Sequence, residues 1–353
     1  MAALAAIPAP KPAPAYANGV PVRMGLIGYG YWGANILRNL RSLAGARLDM
    51  LCDSAAEALQ RAGRVCPDLR LTQESADILF SPEIDAVAII TPVWTHFELA
   101  KAALQNGKHV FLEKPLTSNS HQAEELIELA EQQNLTLMVD HTFLFTGAVR
   151  KIRQLIYSGT LGALYYYDSM RVNLGMFQHD VNVVWDLAPH DLSIMEYVVR
   201  AKPEAVSATG QRHVGELEDV AFITVYFPEK MIAHINVNWL SPVKVRSTLI
   251  GGERRMLVWN DLEADEKIKV YDKGVNVCRR EEVYELLLSY RSGDVWIPHI
   301  RSTEALQTEL DYFLECVVSK KKPINDGKAG LRIVKLLEAA SRSLAKGGEL
   351  VYL

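Results

Sequence analysis

The sequence predicts an α/β protein of two units: a doubly wound parallel sheet, then an α+β unit with an open, mostly antiparallel sheet. Three observations lead there. The chain has 353 residues, more than the ~250–300 at which a single core stops growing. Across residues 22–145, short unalternating apolar runs exchange with helical runs that are polar on one side, as expected of parallel strands covered on both faces. Beyond Thr146, apolar and polar residues alternate in successive segments joined by short turns, as in antiparallel strands with one covered face. The expected units are therefore 21–145 and 146–353, preceded by an extension at 1–20.

The extension, with its AIPAPKPAPA composition, cannot bury surface and reads as disordered. The first strand follows at Val22 and empties into Gly28-x-Gly30-x-x-Gly33, ahead of a helical run at 35–40. Gly28 permits a tight turn, Gly30 lets the backbone approach a pyrophosphate, and Gly33 lets helix and strand pack closely. Tyr31 and Trp32 lie inside this turn and belong to the same expected contact set. The helix N-terminus then faces the anion. A second apolar run, 48–52, ends at Asp53, twenty residues past Gly33, where a carboxylate accepts from both hydroxyls of a ribose. NAD is favoured over NADP, because a 2′-phosphate would meet like charge. Arg61 and Arg64, farther on, soften that preference.

The first unit continues with a helix at 55–62, a strand at 86–90, a helix at 96–105, a strand at 109–112, a helix at 122–133 and a strand at 135–139. Gly107 and Asn134 stop helices. In the second unit a helix at 149–157 ends at Gly159, and a strand at 163–172 precedes a helix at about 192–199. Alternating segments then fall at 205–212, 220–227, 231–239, 244–250, 255–259 and 267–271. Two late helices, about 303–319 and 331–345, are expected to pack back on the first unit.

Composition narrows the function. The chain is 49% apolar and 23% charged with a formal charge of −4, which leaves no electrostatic footprint for nucleic acid. No apolar run approaches the ~18 residues of a membrane span. Cys52, Cys66, Cys278 and Cys316 form no CxxC pair, which argues against a disulfide framework and a zinc site and fits a reducing cytoplasm.

Open parallel sheets bind ligand beyond the carboxyl ends of their strands. After the 109–112 strand stands Glu113-Lys114-Pro115, where Pro115 restricts Lys114 to extended geometry and aims its ammonium. The second cluster is Asp186-Leu-Ala-Pro-His190-Asp191. Pro189 is tolerated near a helix start, which puts His190 in a first turn with Asp186 just upstream to orient its imidazole. An imidazole and an ammonium at one hydroxyl supply the proton transfer that hydride abstraction requires. Thr91 and Pro92, with His96 close behind, are expected to wall a nicotinamide, and Asp140-His141 to wall cofactor or substrate. Trp94 and Trp185 read equally as walls or as core aromatics. Asp140-His141, His179-Asp180 and His190-Asp191 match no metal-binding spacing, so no metal is expected.

These residues carry a family resemblance. GLIGYGYWG at 25–33, TPVWTHFELAKAAL at 91–104, HVFLEKPL at 109–116 and WDLAPHD at 185–191 together resemble the Gfo/Idh/MocA oxidoreductases from Val22 to Leu353. The resemblance implies an N-terminal Rossmann domain, a C-terminal domain whose open sheet makes oligomer contacts in a homodimer or homotetramer, and a tightly held nicotinamide cofactor. It implies a catalytic set of Lys114, Asp186 and His190, with Glu113 and Lys114 also among the cofactor contacts. Substrate contacts would come from Arg171, Asn173, Gln178, His179, Asp180 and Asn182, together with His190. The GYGYWG turn and MRVNLGMFQHDVNVVWD look most similar to members of nucleotide-sugar or surface-polysaccharide pathways. The expected activity is NAD(H)-dependent oxidation of a ring hydroxyl, or reduction of the ketone, of a sugar, most of all a nucleotide-linked one. An inositol, polyol or free-sugar dehydrogenase, an NAD-dependent glycosidase, and a non-catalytic sensor of NAD and sugar remain as alternatives.

Overall fold

A computed structural model describes residues 19–353 apart from Met176, His179 and 280–285. All but Gly19 and Val20 of the Ala/Pro-rich extension lies outside the described residues. The first unit runs β1 (Val22–Ile27), α1 (Tyr31–Ser42), β2 (Ala46–Cys52), α2 (Ala56–Val65), β3 (Arg70–Thr72), α3 (Ala76–Leu79), β4 (Ala86–Ile89), α4 (Val93–Gln105), β5 (His109–Leu112), α5 (Ser120–Gln132) and β6 (Leu137–Val139). The strands form one parallel sheet in the order β3-β2-β1-β4-β5-β6. Its winding reverses between β1 and β4, which opens a crevice at their carboxyl ends. Met24, Leu26, Ile36 and Leu40 are fully buried where α1 meets the sheet, each worth ~1.5–3 kcal/mol.

Two helices start earlier than their apolar periodicity indicates. Asn119 accepts from Gln122 N at 3.0 Å and starts α5 at Ser120, and Pro92 is the cap residue of α4. Caps, rather than the first apolar residue, set these boundaries.

A 3₁₀ turn (Thr142–Phe145) leads into the second unit. It continues with α6 (Gly147–Tyr157), β7 (Leu164–Leu174), α7 (Val183–Val198), β8 (Ala205–Gln211), β9 (Val220–Tyr226), β10 (Ile232–Asn238), β11 (Leu240–Gly252), β12 (Met256–Asn260), β13 (Ile268–Arg279), β14 (Leu286–Trp296), α8 (Ala305–Ser319), α9 (Gly327–Ala345) and β15 (Val351–Tyr352). Nine strands form one sheet, β14-β13-β12-β11-β7-β10-β9-β8-β15, in which β7 and β10 are parallel and every other pairing is antiparallel. Tyr167, Ser169 and Arg171 of β7 point to the covered face, where α7 packs, and Met170 points to the open one.

The helix expected at 192–199 instead begins at Val183. Asn182 caps it by accepting from Trp185 N at 3.2 Å, and Pro189 sits inside the helix. His190 is therefore in its third turn and not its first. Proline is accommodated at the cost of one backbone bond, since no amide remains to donate to the carbonyl four residues back.

The helix α9 touches both sheets. It packs against α5, α7 and β8, and Ser343 Oγ accepts from Ala208 N at 2.8 Å. At its other end a Cβ on Gly327 or Gly330 would fall 2.7 Å from Ile127 Cγ1 or 2.8 Å from Val139 Cγ2. Close approach to the first sheet thus depends on the absence of side chains there.

Candidate active site

At the crevice, Gly28 has φ +100°, and a Cβ there would lie 2.2 Å from Ile90 O. A Cβ on Gly33 would lie 2.2 Å from Gly28 O, yet one on Gly30 would meet no protein atom within 4 Å. The first and third glycines serve the fold, whereas the second leaves a cradle that a side chain would fill. The helix α1 opens at Gly30 with no side-chain cap and no acidic residue in its first turn, so its amides are available to an anion. Tyr31 and Trp32 flank this end, exposed and edge to face at 5.3 Å. Beyond β2, Asp53 Oδ2 accepts from Tyr29 N at 2.6 Å and Oδ1 from Ala55 N at 2.9 Å. Both oxygens are held while keeping lone pairs for a diol. These residues fit the pyrophosphate and adenosine ribose of NAD.

Thr91 follows β4 and pairs its hydroxyl with Thr95 at 2.6 Å. His96, expected at the cofactor, is fully buried beneath it. Its Nδ1 lies 2.9 Å from Pro115 O and its Nε2 2.8 Å from Thr91 O. The imidazole braces the Thr91 strand end against the lysine loop, and burial lowers its pKa.

Lys114 reaches across to the second unit. Its Nζ donates to Asp186 O at 2.7 Å and to Asp186 Oδ1 at 3.3 Å, while Asp186 Oδ2 accepts from Trp239 Nε1 at 3.0 Å. Asp186 therefore positions the lysine and does not orient His190. His190, one turn further along α7, meets the Phe143 ring edge to face at 5.2 Å. Its Nδ1 is buried without a hydrogen-bond partner among the described residues, a cost of ~1–3 kcal/mol. Burial pushes its pKa well down, and Lys114, Arg171 and Arg246 push the same way. The imidazole is neutral at neutral pH and able to accept a proton.

The expected substrate segment divides. Arg171 is 4% exposed and its Nε donates to the equally sealed Asp191 at 2.5 Å, so it supports the His190 pocket from behind. Asn182 is occupied as the α7 cap, and its Nδ2 donates to Glu218 at 2.8 Å. Asn173 and Gln178 are half-buried and Asp180 is exposed, while His179 lies outside the described residues. Trp94 is exposed, and Trp185 Nε1 donates to Ser341 Oγ at 2.9 Å.

Sequence reasoning missed two features. Trp239 is fully buried under the Gly175 segment, and nothing in the chain marks it as a partner of Asp186. The other is a row of carboxyls, two of them buried. Glu113, expected at the cofactor, is half-buried and lies close enough to Asp140 to feel its charge, and Asp140 stands in the same way beside the buried Glu309 of α8. Glu309 Oε1 also accepts from Asn325 Nδ2 at 2.8 Å and His141 N at 3.0 Å. Burial first, then mutual repulsion, raises the pKa of Glu113 and of Glu309 well above 4.5. Such groups bind protons more tightly folded than unfolded, so their contribution is full below the ordinary value and is lost as pH rises above it. Thermal stability is expected to fall as pH rises above about 5, and Glu309→Gln, which keeps a donor without a charge, to flatten that fall. Parallel melting curves for the two proteins across this range would contradict the assignment.

A glycine cradle, an uncapped helix N-terminus and a ribose-facing carboxylate set the class: an oxidoreductase built on an NAD-binding Rossmann fold. The chain belongs to the GFO/IDH/MocA family. Residues 22–141 match the family model described as "Oxidoreductase family, NAD-binding Rossmann fold", and residues 149–258 match the GFO/IDH/MocA C-terminal domain. The UDP-N-acetylglucosamine 3-dehydrogenase of Acidithiobacillus ferrooxidans is 27% identical over 329 residues, covering 89% of this chain and 95% of that protein. The scyllo-inositol 2-dehydrogenase (NAD(+)) of Bacillus subtilis is 26% identical over 320 residues, 86% and 88% of the two chains. A solved structure of the A. ferrooxidans enzyme superposes with a TM-score of 0.77 at 24% identity, covering 93% of this chain and 99% of that one.

Proposed function

We propose that this protein is an NAD-dependent dehydrogenase acting on one ring hydroxyl of a sugar, with a nucleotide-linked sugar as the leading substrate. The observation that carries this reading is the meeting of Lys114, fixed by Asp186, with a neutral His190 where both units face the cradle. His190 takes the hydroxyl proton, its accessible nitrogen being Nε2, since Nδ1 is buried. Lys114 hydrogen-bonds the same oxygen and steadies the charge that grows there. NAD, held by Gly28, Gly30, Gly33 and Asp53, supplies the hydride acceptor when bound. The activities named for the two relatives above support a polyhydroxylated ring as substrate.

The test is NADH formation by the purified protein with UDP-N-acetylglucosamine, scyllo-inositol and myo-inositol. NADH accumulating with at least one of them is the expected result. Bond cleavage with no net change in NADH would favour the glycosidase reading, and ligand binding without turnover the sensor.

We further propose a cytoplasmic homodimer or homotetramer built through the open sheet face. Register sets Phe222, Asn236 and Met170 in one row and Tyr226, Ile232 and Tyr166 in another, with Thr224, His234 and Asp168 in the row between. Phe222, Met170, Tyr226 and Ile232 are all exposed, an apolar surface of the kind that marks an association face. Phe222→Glu combined with Ile232→Glu is expected to lower the molar mass seen by light scattering to that of a monomer. A wild-type monomer at micromolar concentration would remove the proposal.

A further inference from the structure

Three side chains converge on the ring of Phe143. His190 lies at 5.2 Å, the Arg171 guanidinium at 4.5 Å and the Arg246 guanidinium at 5.7 Å. Arg171 and Arg246 are register partners on β7 and β11, so both project from the covered side of the sheet. Their situations differ. Arg171 is sealed against Asp191, whereas the Arg246 side chain is 33% exposed and its ion-pair partner, Asp261, stands 3.6 Å away.

Asp261 is shared. Lys267 approaches its other carboxylate oxygen at 3.8 Å and donates to its carbonyl at 2.5 Å. The nearby carboxylates are already engaged, Asp191 with Arg171 and Asp186 with Lys114 and Trp239. One carboxylate between Arg246 and Lys267 leaves positive charge in excess beside the imidazole. Such an excess in a partly desolvated pocket is unfavourable until an anion joins it.

We propose that Arg246 forms an anion subsite of the substrate cleft, so that the sugar turned over carries a carboxylate or phosphate group close to the ring that His190 addresses. The inference rests on the dehydrogenase reading for the role of that ring. A guanidinium presents a planar fork that matches either anion through paired N–H donors, which a point charge does not. Two features agree with this. Burial, followed by the neighbouring Arg171 charge, lowers the pKa of Arg246, the signature of a cation short of compensation. The sealed Arg171 cannot serve in its place without giving up Asp191.

Calorimetric titration of the NAD-loaded protein with glucuronate and with UDP tests this without turnover, the first probing a carboxylate on the sugar and the second a linked phosphate. Arg246→Gln is expected to weaken one or both at least tenfold, and Arg246→Lys to fall between it and wild type, with NAD affinity unchanged in both. A tenfold loss for glucuronate alone assigns the carboxylate source, and for UDP alone the phosphate source. Equal affinities in wild type and Arg246→Gln, or a wild type that binds neither probe, overturns the proposal. So does loss of NAD affinity alongside anion affinity in both variants, since the residue would then serve the fold. Arg246-dependent anion binding in a protein that forms no NADH with any sugar would instead sink the dehydrogenase reading and leave the subsite standing.

Discussion

Replacing Lys114 by alanine is expected to lower kcat by on the order of 10²-fold or more, the usual loss when a positioned proton-transfer or charge-stabilising group is removed. The pH profile carries the sharper signature. Lys114 is among the charges that depress His190, so its removal lets the imidazole pKa rise. With the neutral imidazole as the proposed base, activity is lost as pH falls through that pKa. The acid limb of kcat/KM in Lys114→Ala is therefore expected to move to higher pH. Steady-state NADH formation across pH measures both effects, and an acid limb that stays put or moves lower would show that the two groups do not share a site.

His190→Ala is expected to cost a similar factor, on the order of 10²-fold or more, and to abolish the acid limb altogether. The structure gives this variant a clean reading. Nδ1 has no hydrogen-bond partner among the described residues, so removing the ring breaks no bond from that atom. Turnover within a few-fold of wild type would mean that the proton leaves by another route. Lys114 would then be the only assigned group left standing.

Much of the fold and site is legible in the chain, for reasons that also explain the parts that are not. The parallel sheet can be read because its strands are buried on both faces and so appear as bare apolar runs, and because the glycine turn fixes the path of the chain after β1. Lys114 and His190 can be found because each stands beside a proline that punctuates the local pattern. Partnership between distant segments is hidden. Asp186 is four residues from His190, yet its carboxylate goes to Lys114 and Trp239, a choice made by the meeting of two sheets. His96 and Arg171 are polar residues beside functional motifs, and the fold spends both on internal contacts. Glu309, in a late helix, gives no sign of lying beside Asp140. The strand β14 is equally hard to find, since Leu286 to Leu288 run apolar without alternation.

The helix α9 bears on how the enzyme reaches its reactive geometry. One rod fastened to β8 at one end and to α5 and β6 at the other makes the gap between the two walls a property of the folded chain and not of the ligand. Lys114 stands on one wall and His190 on the other. Their spacing is thus settled at synthesis, and an arriving sugar spends little of its binding energy in drawing them together.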